Sequence, residues 1–183
     1  MNTRPAAISA SAHRRFVEKV LPHLDDANSL ARWLTGNRTD AEDVVQDACM
    51  RALASLDAAV VEQPRAWLMT IVRNTAFTWL AKNRPKAVTV TDDVQLLETV
   101  ASSHPAGRSP NPEEALIAAA DEAMLESAIA ALPPVFREVI VMRDINGLSY
   151  REISQAIGAP QGTVMSRLAR GRAILINKLG TRA

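Results

Sequence analysis

The stretch LSYREISQAIGAPQGTVMSRLARGRAIL, residues 148–175, contains two short amphipathic segments joined by Gly-Ala-Pro. Ser149 can cap the first segment, because Glu152 follows three residues later and completes a capping box. Gly158 suits a left-handed position at the C-terminal end of a helix, and Pro160 suits the start of the next one. The spacing therefore predicts two helices separated by a tight turn.

The second of these helices separates apolar from polar side chains at about 100° per residue. This is the geometry of a helix-turn-helix whose second helix presents polar and cationic groups to a DNA major groove. An αα-hairpin with a solvated arginine face has the same spacing and remains open as an alternative. The apolar face comprises Val164, Leu168, Gly171 and Leu175, and the opposite face comprises Thr163, Ser166, Arg167 and Arg170.

The composition favours helices throughout the chain. Of 183 residues, 48% are apolar but only 4% are aromatic. A core built from Ala, Leu, Val and Ile, with few glycines, is typical of helical proteins. Cys49 is the single cysteine, which excludes an internal disulfide and is weak evidence for a reducing compartment. We expect neither a signal peptide nor a membrane span, because no apolar run reaches about 18 residues.

Charge is distributed unevenly along a chain whose formal net charge is only +1. Residues 65–86 carry five cations and no acid, and residues 145–183 carry six cations and one acid. Between these blocks, residues 92–126 carry eight acids and one cation. Two basic blocks separated by an acidic segment predict two polyanion-binding surfaces.

Apolar spacing and end signals predict helices on both sides of a linker. Pro64 opens a long basic helix that stops at Arg84. The residues that follow, up to Pro110, show no sustained period and are rich in Pro, Ser and acids. We therefore predict an all-α protein of two helical domains, at residues 10–86 and 112–180, joined by a flexible linker at residues 87–111.

The ends of several helices are also predicted. Gly36 ends an early helix, after which Thr39 with Glu42 predicts a capping box. In the second domain a helix is predicted from Val135 to Ile145, ended by Gly147. These signals fix where the chain turns between the predicted helices.

Longer runs resemble a known family. ALPPVFREVIVMRDINGLSYREISQAIGAPQGTVMSRLARGR, residues 131–172, resembles region 4 of bacterial sigma factors, in particular the extracytoplasmic-function (ECF) group of the sigma-70 family. TDAEDVVQDACMRAL, residues 39–53, is similar to region 2.2, and PRAWLMTIVRNTAFTWLAKNR, residues 64–84, is similar to regions 2.3 and 2.4. The resemblance covers both predicted domains in the family's order.

The resemblance implies that the first domain is region 2, which binds core RNA polymerase and melts and reads the −10 promoter element. Helical spacing places two carboxylates, an amide and their flanking residues on one face of the region 2.2 helix, where they could meet a basic partner helix. The implied polymerase-binding residues are Asp43, Gln46, Asp47, Met50 and Arg51.

The resemblance also implies a −10 site on the basic helix. Trp67 would stack at the edge of the melted bubble and Asn74 would bind an extruded base, because an indole and an amide suit these contacts. Trp67 as a core residue and Asn74 as a helix-capping residue remain alternatives. Phe77 and Trp79 are expected in the core. The cations that would neutralise phosphates here are Arg73, Lys82 and Arg84.

The second domain would be region 4, which reads the −35 element. Many relatives have a cation where this chain has Met165, and some have an aromatic residue where it has Ala169, so these two side chains are expected to press against a thymine methyl instead. Arg172 is expected to support the fold. The implied base contacts are Met165, Ser166, Ala169 and Arg170, and the implied phosphate contacts include Thr163 and Arg167.

These implications describe an alternative sigma factor, active in stress responses, that directs transcription initiation without itself being an enzyme. Its expected partners are core RNA polymerase, promoter DNA (the −35 duplex and the −10 non-template strand) and an anti-sigma factor. No cofactor or metal is expected, and the expected location is the cytoplasm, at the nucleoid when active and at the membrane when an anti-sigma factor there holds the chain. A dimeric helix-turn-helix regulator, and an adaptor that binds no DNA, are the alternatives.

Overall fold

The computed structural model describes residues 9–56, 59–84 and 112–180, and every regular element among them is helical. This confirms the predicted all-α fold. The predicted linker and its acidic residues fall outside the described residues. The N-terminal group consists of α1 (Ala10–Lys19), a 3₁₀ turn (Leu21–His23), α2 (Leu24–Thr35), α3 (Arg38–Ser55) and α4 (Pro64–Asn83), and the C-terminal group of α5 (Pro112–Ala130), α6 (Pro134–Ile140), a π-helical turn (Val141–Ile145), α7 (Tyr150–Ile157) and α8 (Gln161–Gly180).

The start of α3 differs from the sequence prediction. Gly36 ends α2 in the left-handed conformation, with φ +84°. The next residue, Asn37, is extended and accepts a hydrogen bond from the backbone N–H of Asp40 at 2.8 Å through its side-chain Oδ1. Asn37 is therefore the N-cap, and the predicted cap at Thr39 is wrong. The physical reason is that the left-handed glycine turns the chain early enough for the helix to start at Arg38.

The helix predicted from Val135 to Ile145 is interrupted. It is α-helical to Ile140 and then widens into the π-helical turn. Within that turn the N–H of Asn146 bonds the carbonyl oxygen of Val141 at 2.9 Å. Gly147 follows with φ +70°, as expected of a helix-ending glycine. The wider turn carries the chain from α6 towards α7.

The turn between α7 and α8 confirms the predicted helix-turn-helix geometry. Ser149 and Glu152 form the complete capping box, and Gly158 is left-handed with φ +64°. Buried Val164 and Leu168 face inward from α8. The predicted pair of helices is thus present with the predicted ends.

Gly171 sets how closely α8 approaches α6. A Cβ atom placed at Gly171 would lie 3.0 Å from Cγ1 of Ile140 and 3.5 Å from Cβ of Phe136. A contact of 3.0 Å is tighter than ordinary van der Waals contact, so a side chain here would require Ile140 to shift by a few tenths of an ångström. This close packing fixes the depth and orientation of α8 on the C-terminal group.

One apolar core runs through both groups of helices. It includes Leu34 and Leu68 from the N-terminal group and Val139, Ile153 and Leu168 from the C-terminal group, all buried. The two groups meet mainly where α4 lies along α7, and α2 also contacts α6. The two predicted domains therefore pack against each other.

Candidate protein and nucleic-acid interfaces

The exposed face of α3 carries the acidic cluster predicted from the sequence. Asp43, Gln46 and Asp47 are exposed, and the side of the helix that faces the core is apolar. Met50, 59% exposed, lies on the same face. Arg51 donates to Asp47 through Nη2 at 3.0 Å, one turn along the helix. The result is an ordered surface of carboxylates around one apolar side chain, suited to a basic partner helix.

The side of α8 opposite its buried stripe is open to solvent. Ser166, Ala169 and Arg170 are exposed, and Met165 is 55% exposed. The hydroxyl of Ser166 donates to the carbonyl oxygen of Thr163 at 3.0 Å, within the first turns of the helix. Short polar groups, one methionine and one arginine thus form a ridge that can enter a major groove.

Arg167 does not lie on that ridge, contrary to the sequence-based placement. Its side chain is 29% exposed, and Nη1 donates to Oε1 of Glu138 at 3.2 Å. The physical reason is the buried carboxylate of Glu138 on α6, which attracts the guanidinium inward. Arg172, expected to support the fold, pairs with Asp144 through Nη2 at 2.6 Å.

On α4, Asn74 is exposed, and its Oδ1 accepts a hydrogen bond from Nη1 of Arg73 at 3.2 Å. Trp67 is half-buried two turns earlier and lines a cavity of about 230 Å³. The cavity wall also includes Thr70 and, from α7, Gln155. The two residues predicted to act at a melted strand therefore differ in access, because a side chain of the C-terminal group lies beside Trp67.

The three cations predicted for this helix are placed differently. Lys82 and Arg84 are exposed at its C-terminal end, and the Arg84 guanidinium carbon lies 5.9 Å from the centre of the Trp79 ring. Arg73 turns into the protein, with its guanidinium carbon 4.6 Å from the centre of the Phe77 ring. Phe77 and Trp79 are half-buried against the core, in partial agreement with their prediction as core residues.

Glu138 joins Arg73 to the C-terminal group. Its carboxylate is fully buried and accepts hydrogen bonds from Nε of Arg73 at 2.5 Å and Nη2 of Arg73 at 3.2 Å. The carboxylate atom Oε1, which accepts from Nη2 of Arg73, also accepts a hydrogen bond from Nη1 of Arg167. Burial raises the pKa of Glu138, and the two guanidinium groups oppose that rise. A buried carboxylate with two arginine partners is strongly stabilised by both, and loss of either partner is costly.

A second set of polar contacts joins the groups near the start of α4. Nε of Arg65 donates to Oδ2 of Asp26 at 2.7 Å, and Nη2 of Arg65 donates to the carbonyl oxygen of Asn146. The amide of buried Asn146 returns a hydrogen bond to the carbonyl oxygen of Asp26 at 3.0 Å. These three residues therefore tie α2 and α4 to the turn that precedes α7.

Arg137 provides a third connection. Its Nη1 donates to the carbonyl oxygen of Trp33 at 2.9 Å, and its Nη2 donates to the carbonyl oxygens of Ala130 and Leu132. Burial lowers the pKa of Arg137 to about 10, with a smaller contribution from the nearby charge of Arg84. Arg137 thus completes the end of α5 and links it to α2.

No sequence pattern indicated that these residues connect the two groups of helices. A signal existed for Glu138, since it lies in the apolar run FREVIVM, and a carboxylate that is buried among apolar side chains requires a partner. No group of His, Cys, Asp and Glu suited to a metal ion occurs among the described residues. None of the helices in the described part of the chain is long and apolar enough to cross a membrane.

Two family models match this chain, in an order that agrees with its two groups of helices. Residues 19–86 match the model described as "Sigma-70 region 2". Residues 122–175 match the model described as "Sigma-70, region 4". The matches cover α2 to α4 of the first group and α6 and α7 of the second, together with most of α8.

Relatives and a solved structure agree with these matches. The chain is 36% identical over 155 residues to the ECF RNA polymerase sigma factor SigE of Mycolicibacterium smegmatis, covering 85% of this chain and 58% of that protein. It is 31% identical over 141 residues to the ECF RNA polymerase sigma-E factor of Escherichia coli K12, covering 76% and 74%. The sigma factor RpoE from Bartonella quintana, solved with the anti-sigma factor NepR, superposes with a TM-score of 0.70 at 28% identity, covering 91% of this chain and 98% of that one.

Proposed function

This chain belongs to the ECF sigma factors of the sigma-70 family, and we propose that α3 docks it on core RNA polymerase while α4 and α8 bind the two promoter elements. As an alternative sigma factor it directs promoter recognition at the start of transcription. The assignment of residues to these steps follows from the exposed faces of the three helices.

The exposed carboxylates of α3 carry this proposal. A dimeric helix-turn-helix regulator, the alternative left open by the sequence, needs the α7–α8 pair but has no use for an acidic docking face on a separate group of helices. The matches to both sigma regions also favour the sigma factor. The polymerase-binding surface therefore consists of Asp43, Gln46, Asp47, Met50 and Arg51.

The DNA contacts divide between the two groups of helices. In the N-terminal group, residues 10–86, Asn74 binds an unpaired base of the −10 element, Trp67 stacks beside it, and the exposed Lys82 and Arg84 neutralise phosphates. Arg73, the third predicted cation, is bound to Glu138 in this structure and meets phosphate only when that ion pair opens. In the C-terminal group, residues 112–180, the outward ridge of α8 enters the major groove of the −35 element. Base contacts are assigned to Met165, Ser166, Ala169 and Arg170, and phosphate contacts to Thr163 and Arg167.

The remaining assignments concern partners and location. The chain does not itself catalyse RNA synthesis, because RNA polymerase performs that reaction. An anti-sigma factor binds it, as NepR binds the similar RpoE. It acts in the cytoplasm, at the nucleoid when active and at the membrane when an anti-sigma factor there holds it.

Run-off transcription tests the proposed function directly. Core RNA polymerase is assayed with and without this chain on a library of promoter fragments, and transcripts are sequenced. We expect specific start sites only when the chain is present, with shared −35 and −10 sequences upstream. If the transcripts are the same with and without the chain, the proposal is contradicted.

Replacing Arg170 with alanine is expected to remove base discrimination at one position of the −35 element. A bidentate arginine–guanine contact discriminates by about 1–3 kcal/mol, whereas a phosphate contact carries no direct sequence information. The measurement is competition binding of holoenzyme to single-base −35 variants at two salt concentrations. Holoenzyme is used because one small domain binds DNA weakly.

Arg167→Ala is the matched comparison, since it also removes one arginine from α8. It deprives Glu138 of a partner, so we expect a similar loss of affinity for every −35 variant. Because Arg167 is also assigned a phosphate contact, we expect the slope of log affinity against log salt to fall by about one. A uniform loss for both variants would identify Arg170 as a phosphate anchor and not a base contact.

A further inference from the structure

Two cations of the first helix hold the backbone that leads from α3 to α4. Arg15 on α1 donates through Nη1 to the carbonyl oxygen of Leu56 and through Nη2 to that of Ala59 at 2.6 Å. One turn later on the same helix, Nζ of Lys19 donates to the carbonyl oxygen of Val61 at 3.0 Å. Two side chains from one face of α1 thus bind three backbone carbonyl groups of the α3–α4 connection.

These contacts act on the path of the backbone and not on the side chains of the connection. Leu56 is the C-cap of α3, where carbonyl groups have no partner within the helix and cations are favoured. Ala59 and Val61 lie outside regular structure, so their carbonyl groups also need donors from elsewhere. The position of this segment therefore depends on α1, whatever side chains the segment carries.

The same segment forms one wall of the cavity beside Trp67. Apart from Gln155 of α7, the residues that line this cavity are residues 60–63 and one side of α4. Val61 is buried in the core, whereas its neighbour Val60 is 89% exposed. The wall is thus anchored by one apolar side chain and by the backbone contacts to α1, and a shift of these contacts would move the wall relative to the indole.

The cavity wall also carries a polar atom that needs a partner. Oε1 of Gln63 is buried and accepts no hydrogen bond from any of the residues that the structure describes. A buried acceptor without a donor is unfavourable. The edge of an unpaired base offers N–H donors, and the indole of Trp67 offers a stacking surface. The fit of a base in this cavity therefore depends on where the wall stands.

We propose that Arg15 and Lys19 are positioning residues for −10 recognition, which hold the α3–α4 connection so that the cavity beside Trp67 fits an unpaired base. The inference rests on the proposed function of Trp67 and Asn74. Neither cation touches the base, since both act through the backbone of the connection. The match to sigma-70 region 2 begins at residue 19, so Arg15 lies outside the matched residues.

Binding of holoenzyme to a single-stranded −10 oligonucleotide tests this role. The oligonucleotide is used intact and with one base removed at each position in turn. Removal of a base leaves the sugar–phosphate chain, so the ratio of the two affinities measures what that base contributes. We expect one position at which removal of the base weakens wild-type binding most, and this position identifies the captured base.

Arg15→Ala and Lys19→Met each remove the charged donor, and the methionine keeps most of the lysine stem. We expect each variant to bind the intact strand about tenfold more weakly than wild type, as for loss of hydrogen bonds to a charged group, and to bind the strand lacking that base equally well. Arg15→Lys keeps a cation and should restore part of the loss. Arg14→Ala is the matched control, because it removes an exposed arginine from the same helix and should match wild type with both strands.

Three results would overturn the positioning role. Unchanged binding of both strands by Arg15→Ala and Lys19→Met would show that the connection needs no support from α1. Equal losses for the two strands, or a loss of helix content in both variants, would show that the contacts serve only the fold. Failure of the proposed function has a different signature, because wild-type holoenzyme would then bind intact and base-lacking strands equally at every position.

Discussion

Changing Asp43 and Asp47 together to lysine is expected to weaken binding to core RNA polymerase by about a hundredfold or more. Each carboxylate can accept charge-assisted hydrogen bonds from a basic partner, worth about 1.5–3 kcal/mol each. The new lysines would also lie opposite basic residues of the polymerase, and like charges that face each other cost several kcal/mol at an interface. At about 1.4 kcal/mol per factor of ten, two such losses exceed a hundredfold.

Binding is measured by competition with a labelled wild-type chain for core polymerase. The fold should persist, because Asp43 and Asp47 are exposed and the Asp47–Arg51 pair is a surface contact of small value. The control is the double change of Asp121 and Glu122 to lysine on α5, which alters the net charge equally at another exposed site. Equal affinities for the α3 variant and the α5 variant would refute the docking surface.

Asn74→Ala is expected to reduce strand opening about ten- to a hundredfold, with little effect on binding to duplex promoter DNA. An amide that pairs with a base edge contributes about 1–3 kcal/mol, and the base is available only once the strands separate. Alanine is the better helix former, so α4 should not be weakened by the change. Permanganate reactivity of unpaired thymines reports opening, and filter binding reports the duplex complex.

Thr78→Ala is the control for Asn74→Ala, because Thr78 is exposed one turn further along α4. The Thr78 hydroxyl donates to the backbone carbonyl oxygen of Asn74 at 2.8 Å. The Thr78→Ala change therefore removes a polar group from the same face and leaves the side-chain amide of Asn74 in place. We expect normal opening from this variant. Normal opening and an unchanged −10 base preference in Asn74→Ala would show that the Asn74 amide does not bind a base.

Local signals predicted much of this fold because the interactions that determine it are local. The Ser149–Glu152 capping box joins residues that are three positions apart. The left-handed turn at Gly158 depends on the backbone conformation of a single residue. The exposed face of α3 follows from helical periodicity alone. The error at Thr39 arose because Asn37 and Thr39, two positions apart, are both residue types that cap helices, and the preceding glycine selected Asn37.

Interactions between distant residues could not be predicted in this way. Glu138 and Arg73 are 65 positions apart, and periodicity places each residue on a face without identifying its partner. Arg167 was assigned to the outward face for the same reason. Its charge fits solvent, but the long side chain reaches back to a buried carboxylate. The packing of the C-terminal group on α4 likewise depends on tertiary contacts that no sequence pattern records.

Gly171 lies on the inner side of α8, and this placement separates two tasks of the helix, packing on the protein and reading DNA. Because Gly171 packs closely against Ile140, the inner half of this helix sets its position on α6. The outer half, at Met165, Ser166 and Ala169, is exposed and makes little contribution to that position. Variants of α8 with new promoter specificities can therefore be made by changing the outer positions, provided that Gly171 and the buried apolar residues are left unchanged.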